Sequence, residues 1–316
     1  MPQTLNENAR RLVADLIPQQ AELRVAISQA PCGTTILDCG VKAPGGIEAG
    51  RQLAEICLAG LGKVSVVPAS AQLGGGAAIQ IVSDQPLRAC MASQYAGWQI
   101  SGEKFFAMGS GPMRAAAGKE AIFERIGQKE RPPCAVGVLE TAKLPPDEVC
   151  RKLADSCGVP PSELTLLAAR TASLAGTVQV VARSLETALH KIGELGGELA
   201  EVVSGFGVAP LPPVAADDLT GIGRTNDAIL YGGDVTIWVR GEDAAWSKLL
   251  QEVPSSASRD FGRPFAEIFE AAGKDFYKID PHLFSPARVT LVNLSTGRQM
   301  QAGELRPDIL KASFGS

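Results

Sequence analysis

Residues 135–170 read AVGVLETAKLPPDEVCRKLADSCGVPPSELTLLAAR, and their pattern decides the fold class. Ala135–Leu139 is an apolar run of strand length that ends at polar residues, the signature of a buried strand. Pro145-Pro146-Asp147-Glu148 then opens a helix. Proline is tolerated in a first turn because its missing N–H had no partner there, and the two acids complement the helix dipole. Leu164–Ala168 is a second strand.

The same alternation continues outward in both directions. The pattern predicts a helix near Asn6–Leu16, a strand at Thr35–Asp38, a helix over Ile47–Ala59 opened by glycine, and a strand at Lys63–Val67. A glycine loop at 74–76, a strand at Ala78–Val82 and a helix beginning at Pro86 follow. VAPLPPVAADD (208–218) and PSSASRDFGRP (254–264) read as loops by composition, too short for interdomain tethers. The fold class expected is α+β, with strands and helices mixed along the whole chain.

Composition narrows the function. Thirty basic and 34 acidic residues give a net charge of −4, and no basic stripe interleaved with aromatics offers a nucleic-acid groove. The stretch Val64–Ser83 carries no charge until Asp84, but Pro68, two glutamines and Gly74–Gly76 break its apolar continuity, so no membrane span is expected. The N-terminus MPQTLNENARRLVADL lacks the apolar core of a secretion signal. Seven cysteines, at 32, 39, 57, 90, 134, 150 and 157, include no Cys-x-x-Cys pair and are expected to act as small buried hydrophobes. With only His190 and His282 available, no metal site is expected. No G-x-G-x-x-G or G-x-S-x-G string occurs, and Gly45–Gly50 followed by Arg51-Gln52 lacks the lysine and hydroxyl of a phosphate loop.

The polar chemistry concentrates in VVARSLETALHKI (180–192). On one continuous helix Val178, Val181, Leu185, Ala188, Leu189 and Ile192 share an arc, and Gln179, Arg183, Glu186, Thr187 and His190 share the other. Arg183 and Glu186, three apart, and Glu186 and His190, four apart, are then neighbours. Taken alone, this is a solvated face with ordinary side-chain pairs. RTASLAGTVQ (170–179) just upstream is rich in hydroxyls and small residues that suit close approach of a ligand. The strings at 38–41, 93–98, 108–112, 203–207 and 224–227 read as further polar-glycine turns after apolar segments.

Taken in order, DCGV, PGG-x-EAG, SQYAGWQI, KFFAMGSGPMRA, TAS-x-AG-x-VQ, R-x-x-E-T-A, IGRTNDA, PS-x-x-SRDFGRPF-x-EIF and FYKIDP-x-LF-x-P resemble the blocks of a known family. It is the methenyltetrahydromethanopterin cyclohydrolases of methanogenic archaea and of bacteria that oxidise one-carbon compounds through the same carrier. The resemblance implies a cytoplasmic homotrimer whose subunit has two α+β parts, taken as 1–165 and 166–316 with the chain free to cross more than once, and an active-site cleft between them. It implies hydrolysis of 5,10-methenyl-tetrahydromethanopterin to the 5-formyl derivative, with no metal or redox cofactor. A folate-type methenyl cyclohydrolase and a non-catalytic pterin-carrier binding subunit are the alternative readings.

By the same resemblance Glu186 is the general base and Arg183 holds its carboxylate. The substrate surface draws on Gln94, Tyr95, Trp98, Lys104, Ser110, Gly111, Thr171, Ser173, Gln179, Thr225 and Asn226. Archaeal members carry lysine where this chain has Tyr95, which leaves a stacking or hydrogen-bonding role for the ring. Lys104, Arg114 and Arg224 read as exposed cations able to meet an anionic tail, and His190 as structural.

Overall fold

A computed structural model of the chain describes residues 3–273 and 278–315. Met1 and Pro2 of the N-terminal segment, and Phe276 and Tyr277 of the FYKIDP block, lie outside the described residues. Two compact units emerge. The first comprises residues 1–62 and 88–179, the second residues 63–87 and 180–316. A single cut at 165/166 does not reproduce this division, because the hairpin of residues 63–83 pairs with strands late in the chain. The final crossing falls at Gln179/Val180, inside the helix Leu174–Val181.

Strands are numbered in chain order. The first unit holds β1 (Ala26–Gln29), β2 (Thr35–Gly40), β5 (Trp98–Gly102), β6 (Phe105–Ser110), β7 (Ala135–Glu140) and β8 (Leu164–Ala169), and the second holds β3 (Lys63–Pro68), β4 (Ala77–Ser83), β9 (Val202–Pro210), β10 (Asp234–Val239), β11 (Arg288–Asn293) and β12 (Gln299–Gly303). With helices throughout, the α+β class holds.

The first sheet has the order β1-β2-β8-β7-β6-β5, with β2, β8 and β7 parallel. The quoted stretch supplies its centre: β7, the helix Asp147–Cys157 and β8. Both strands are buried almost throughout, as parallel strands covered on both faces must be. Alternate residues serve opposite faces. Leu139, Leu166 and Ala168 pack with Val149 and Leu153 of that helix, whereas Val136, Val138 and Leu167 pack with Val13, Leu53 and Ile56 of the helices Leu5–Leu16 and Ile47–Cys57. Gly137 is glycine because a Cβ there would lie 2.2 Å from Met113 Sδ.

The second sheet, β12-β11-β10-β9-β4-β3, is antiparallel except for β10–β11. Its strand β10 alternates strictly between half-buried and buried residues, as expected of a sheet with one face in the core. Strand β9 runs on through Val208–Pro210, pairing Pro210 with Ala78 of β4, so the expected loop at 208–218 starts three residues later. Six of the seven cysteines are buried and Cys32 is half-buried. Among the described residues no helix is long and apolar enough to cross a membrane.

Candidate active site

The run VVARSLETALHKI does not form one helix. The helices Leu174–Val181 and Ser184–Glu194 are separated by Ala182 and Arg183, with Arg183 as N-cap at φ −92°, ψ 4°. The break resets the helical phase, and the second helix begins against β9. A Cβ on Gly207 would lie 2.6 Å from Ser184 Oγ, and one on Gly205 would lie 2.6 Å from Leu185 Cδ1. The VSGFG string is therefore a strand stripped of side chains where a helix start presses on it, rather than a turn.

Burial overturns the solvated-face reading. Gln179 is 1% exposed, Arg183 6% and Glu186 4%, while Thr187 and His190 are half-buried. Glu186 lies in the first turn of its helix, where the dipole favours an anion. Thr187 spends its hydroxyl on the Ser184 carbonyl at 2.9 Å. His190 Nε2 lies 3.9 Å from the Glu194 carboxylate.

In the first unit, the carboxyl ends of β2, β8 and β7 gather a second set of polar groups. The buried Asp38 carboxylate accepts backbone N–H bonds from Gly40, Val41, Lys42 and Ala43 at 2.7 to 3.1 Å, folding DCGVKA around one anion. Ser173 Oγ donates to the Arg170 carbonyl at 2.8 Å and accepts from Gly176 N–H at 3.0 Å. It leans so close that a Cβ on Gly40 would lie 2.3 Å from its Oγ. Thr177 Oγ1 donates to the Thr171 and Ser173 carbonyls at 3.1 and 2.8 Å. Thr171 donates its own hydroxyl to Glu140, the last residue of β7. Thr171 and Ser173 are thus brought together, and Glu140 joins them.

Gln94 ends a wide-turned helix, Leu87–Gln94, whose i→i+5 bonding finishes with Tyr95 N–H on the Cys90 carbonyl at 2.8 Å. Such π-turns are uncommon and concentrate at functional sites. Gln94 is fully buried, and Tyr95 and Trp98 are half-buried. Ser110 donates to the Val138 carbonyl at 3.3 Å and touches Cys57 Sγ. Gly111 has φ +87°, which favours glycine, and its N–H bonds the Ser93 carbonyl at 2.9 Å. Lys104 is exposed in the β5–β6 turn. Arg114, by contrast, is no exposed cation. It is fully buried, its Nε and Nη2 hold Glu120, its Nη1 holds the Met91 and Ser93 carbonyls, and its guanidinium lies 4.8 Å from the Tyr95 ring centroid.

In the second unit Thr225 and Asn226 lie within the helix Asp218–Leu230, not in a turn. Thr225 Oγ1 bonds the Gly221 carbonyl at 2.9 Å and Asn226 Nδ2 the Ile222 carbonyl at 2.9 Å, so both side chains bond back one turn. Arg224 is half-buried, with Nη1 on the Pro213 carbonyl. Asp227 beside them is fully buried and accepts from Phe265 N–H at 2.8 Å and Ser313 Oγ at 2.6 Å. Burial pushes its carboxyl up to about 7, against the pull of those two donors. Lys191, 2% exposed, donates to the His282 carbonyl at 2.6 Å, and burial brings its ammonium down to about 8.

Asp38, Glu140, Asp227 and Lys191 carry no role in the sequence reading. Asp38 had a signal, an aspartate followed by Cys-Gly at a strand end. The others acquire partners 31 to 91 residues away, which no local pattern announces. Among the described residues no group of three or more His, Cys, Asp or Glu side chains is placed to hold a metal ion.

A family model described as cyclohydrolase (MCH) matches residues 4–314. A protein of Methylobacillus flagellatus named methenyltetrahydromethanopterin cyclohydrolase is 50% identical over 312 residues, covering 99% of this chain and 95% of the relative. Proteins of the same name from Xanthobacter autotrophicus and Methanosarcina barkeri are 48% and 40% identical, covering 96% and 99% of this chain and 90% and 98% of the relatives. A bacterial and an archaeal relative both align nearly end to end, so the match takes in the strands of both units and the helix start at Arg183–Glu186, and the chain belongs to the cyclohydrolase (MCH) family.

Proposed function

We propose that this protein hydrolyses 5,10-methenyl-tetrahydromethanopterin to 5-formyl-tetrahydromethanopterin, the activity in its relatives' names, with Glu186 as general base. The observation that carries the reading is the burial of Arg183 and Glu186 three residues apart at the start of one helix, at the positions where the resemblance puts the catalytic pair. The methenyl bridge is an amidinium carbon, already electrophilic, so the reaction needs a positioned water and a proton acceptor. Glu186 takes a proton as the water oxygen bonds the bridge carbon. Cleavage of the bond from that carbon to N10 then leaves the formyl group on N5, with net release of one proton. The negative carboxylate also favours the cationic substrate. Arg183 keeps its charge at every accessible pH, so it orients Glu186 and favours its ionised form rather than moving a proton.

The proposed reaction uses no metal or redox cofactor, and the proposed working form is a cytoplasmic homotrimer. Loss of methenyl absorbance, followed with the tetrahydromethanopterin and the tetrahydrofolate carriers in parallel, tests the substrate. Hydrolysis confined to the folate carrier would give the folate reading, and binding without turnover would give a carrier-binding subunit. Full activity after exhaustive chelation is expected. Sedimentation should show three copies per particle.

A further inference from the structure

Glu140 stands in one row with Gln99, Met108, Ala169 and Gly40 across β5, β6, β7, β8 and β2. Paired residues of neighbouring strands share a face, so half-buried Met108 and the small Ala169 flank the carboxylate with apolar surface. The row lies at the carboxyl ends of the parallel strands, where open sheets of this kind receive ligands. Glu140 is half-buried and accepts the Thr171 hydroxyl, and among the described residues no cation pairs with it. Thr171 is 3% exposed and its carbonyl is fixed by Thr177, so the donor on Glu140 is rigidly placed. A carboxylate partly removed from water, with one neutral donor and no counter-charge, is costly until further donors reach it.

The pterin ring of the proposed substrate presents such donors: N3–H and the 2-amino N–H lie side by side in the ring plane, a spacing that one carboxylate accepts as a parallel pair. We propose that Glu140 recognises the pterin head of the substrate through this pair, with Thr171 as the positioning residue that holds the carboxylate in plane. The assignment rests on the pterin substrate proposed above, and it adds a specificity group that does not touch the reacting carbon.

The probes are 6-methyltetrahydropterin and its 2-desamino analogue, with binding measured by calorimetry and by competition against methenyl hydrolysis. The native protein should prefer the 2-amino compound by about 10- to 100-fold, the scale of hydrogen bonds to a charged group. In Glu140→Gln the preference should fall below about threefold, and KM for the methenyl substrate should rise by about 10- to 100-fold with a much smaller change in kcat. Thr171→Val, which leaves the carboxylate but frees it to turn, should give a smaller rise in KM. Equal discrimination in Glu140→Gln and the native protein, or none in either, overturns the proposal. So does a loss confined to kcat. If the native protein fails to turn over the methenyl carrier, the hydrolase reading falls, while calorimetric discrimination between the two probes still decides the role of Glu140.

Discussion

Arg114 and Arg183 are both buried arginines followed within a few residues by a glutamate, yet the structure uses them differently. In the first unit every nitrogen of the Arg114 guanidinium donates to Glu120 or to the Met91 and Ser93 carbonyls, and its faces meet Tyr95 and Phe123 at 4.8 and 5.3 Å. The pair cements the Tyr95 segment to the helix Met113–Ala117. In the second unit Arg183 caps a helix and Glu186 lies in its first turn, pressed on a glycine-bared strand. Burial alone therefore does not separate a structural pair from a proposed catalytic one. The two pairs differ in place, one tied to backbone carbonyls and the other at the start of a helix.

The contrast breaks if the wrong pair proves catalytic. Glu186→Gln keeps shape and hydrogen bonding but removes the base, so kcat should fall by ~10²–10⁴-fold, with substrate still bound and Tm little moved. Near-native turnover would return Glu186 to structure. Glu120→Ala should do the reverse. It strands a buried guanidinium, at a cost of about 3–5 kcal/mol, to be read as a Tm drop of roughly 10 °C, while kcat of the folded fraction stays close to native. A large loss of kcat without loss of Tm would make Arg114–Glu120 part of the chemistry.

Asp227 sharpens the comparison with a carboxylate held by only two donors. Its folded pKa, about 7, stands above the ordinary 3.8, so the folded state holds a proton that the unfolded chain has released. The contribution is complete below the unfolded value and is lost as pH rises toward 7. Asp227→Asn can keep both hydrogen bonds without titrating. Its stability relative to the native protein should therefore climb by about 2–3 kcal/mol between pH 5 and 7 and level off above, as measured by denaturant melts. A constant difference across that range would show that Asp227 does not titrate there. The smallest expected effect is that of Arg183→Lys, which keeps the charge and loses the planar fork. Turnover should drop by about tenfold, with the kinetic pKa of the base moved upward. An unchanged pH profile at native rate would leave Arg183 as a helix cap only.

Much of the first unit was legible because its central strands are buried on both faces and read as unbroken apolar runs, with proline and acids marking the helix between them. The second unit was harder. Gly205 and Gly207 look like turn residues until a helix start is seen resting on them, and Arg224–Asp227 looks like a turn until its side chains are found bonded back along a helix. The candidate site is read from the sequence as a set of ordered blocks and not as a geometry. Local periodicity placed Glu186 on a solvent-facing stripe because a polar helix face is buried only by what packs on it from elsewhere in the fold; the break at Ala182–Arg183 shifts Gln179 out of phase but leaves Glu186 on one helix with Leu185 and Leu189.

The sequence by itself determined the class of fold, the family and the identity of the proposed base, since these depend on local apolar patterning and on the order of short blocks along the chain. Tertiary structure decided which polar groups are spent and which stay in play. Arg114 is bound by Glu120 and two carbonyls and Asp38 by four backbone N–H groups, whereas among the described residues Glu140 accepts a single partner, the hydroxyl of Thr171 31 residues away. Hydrogen-bond saturation is a property of neighbours in space. Two carboxylates that look alike in sequence differ in chemistry once one is fully satisfied and the other still has room for donors.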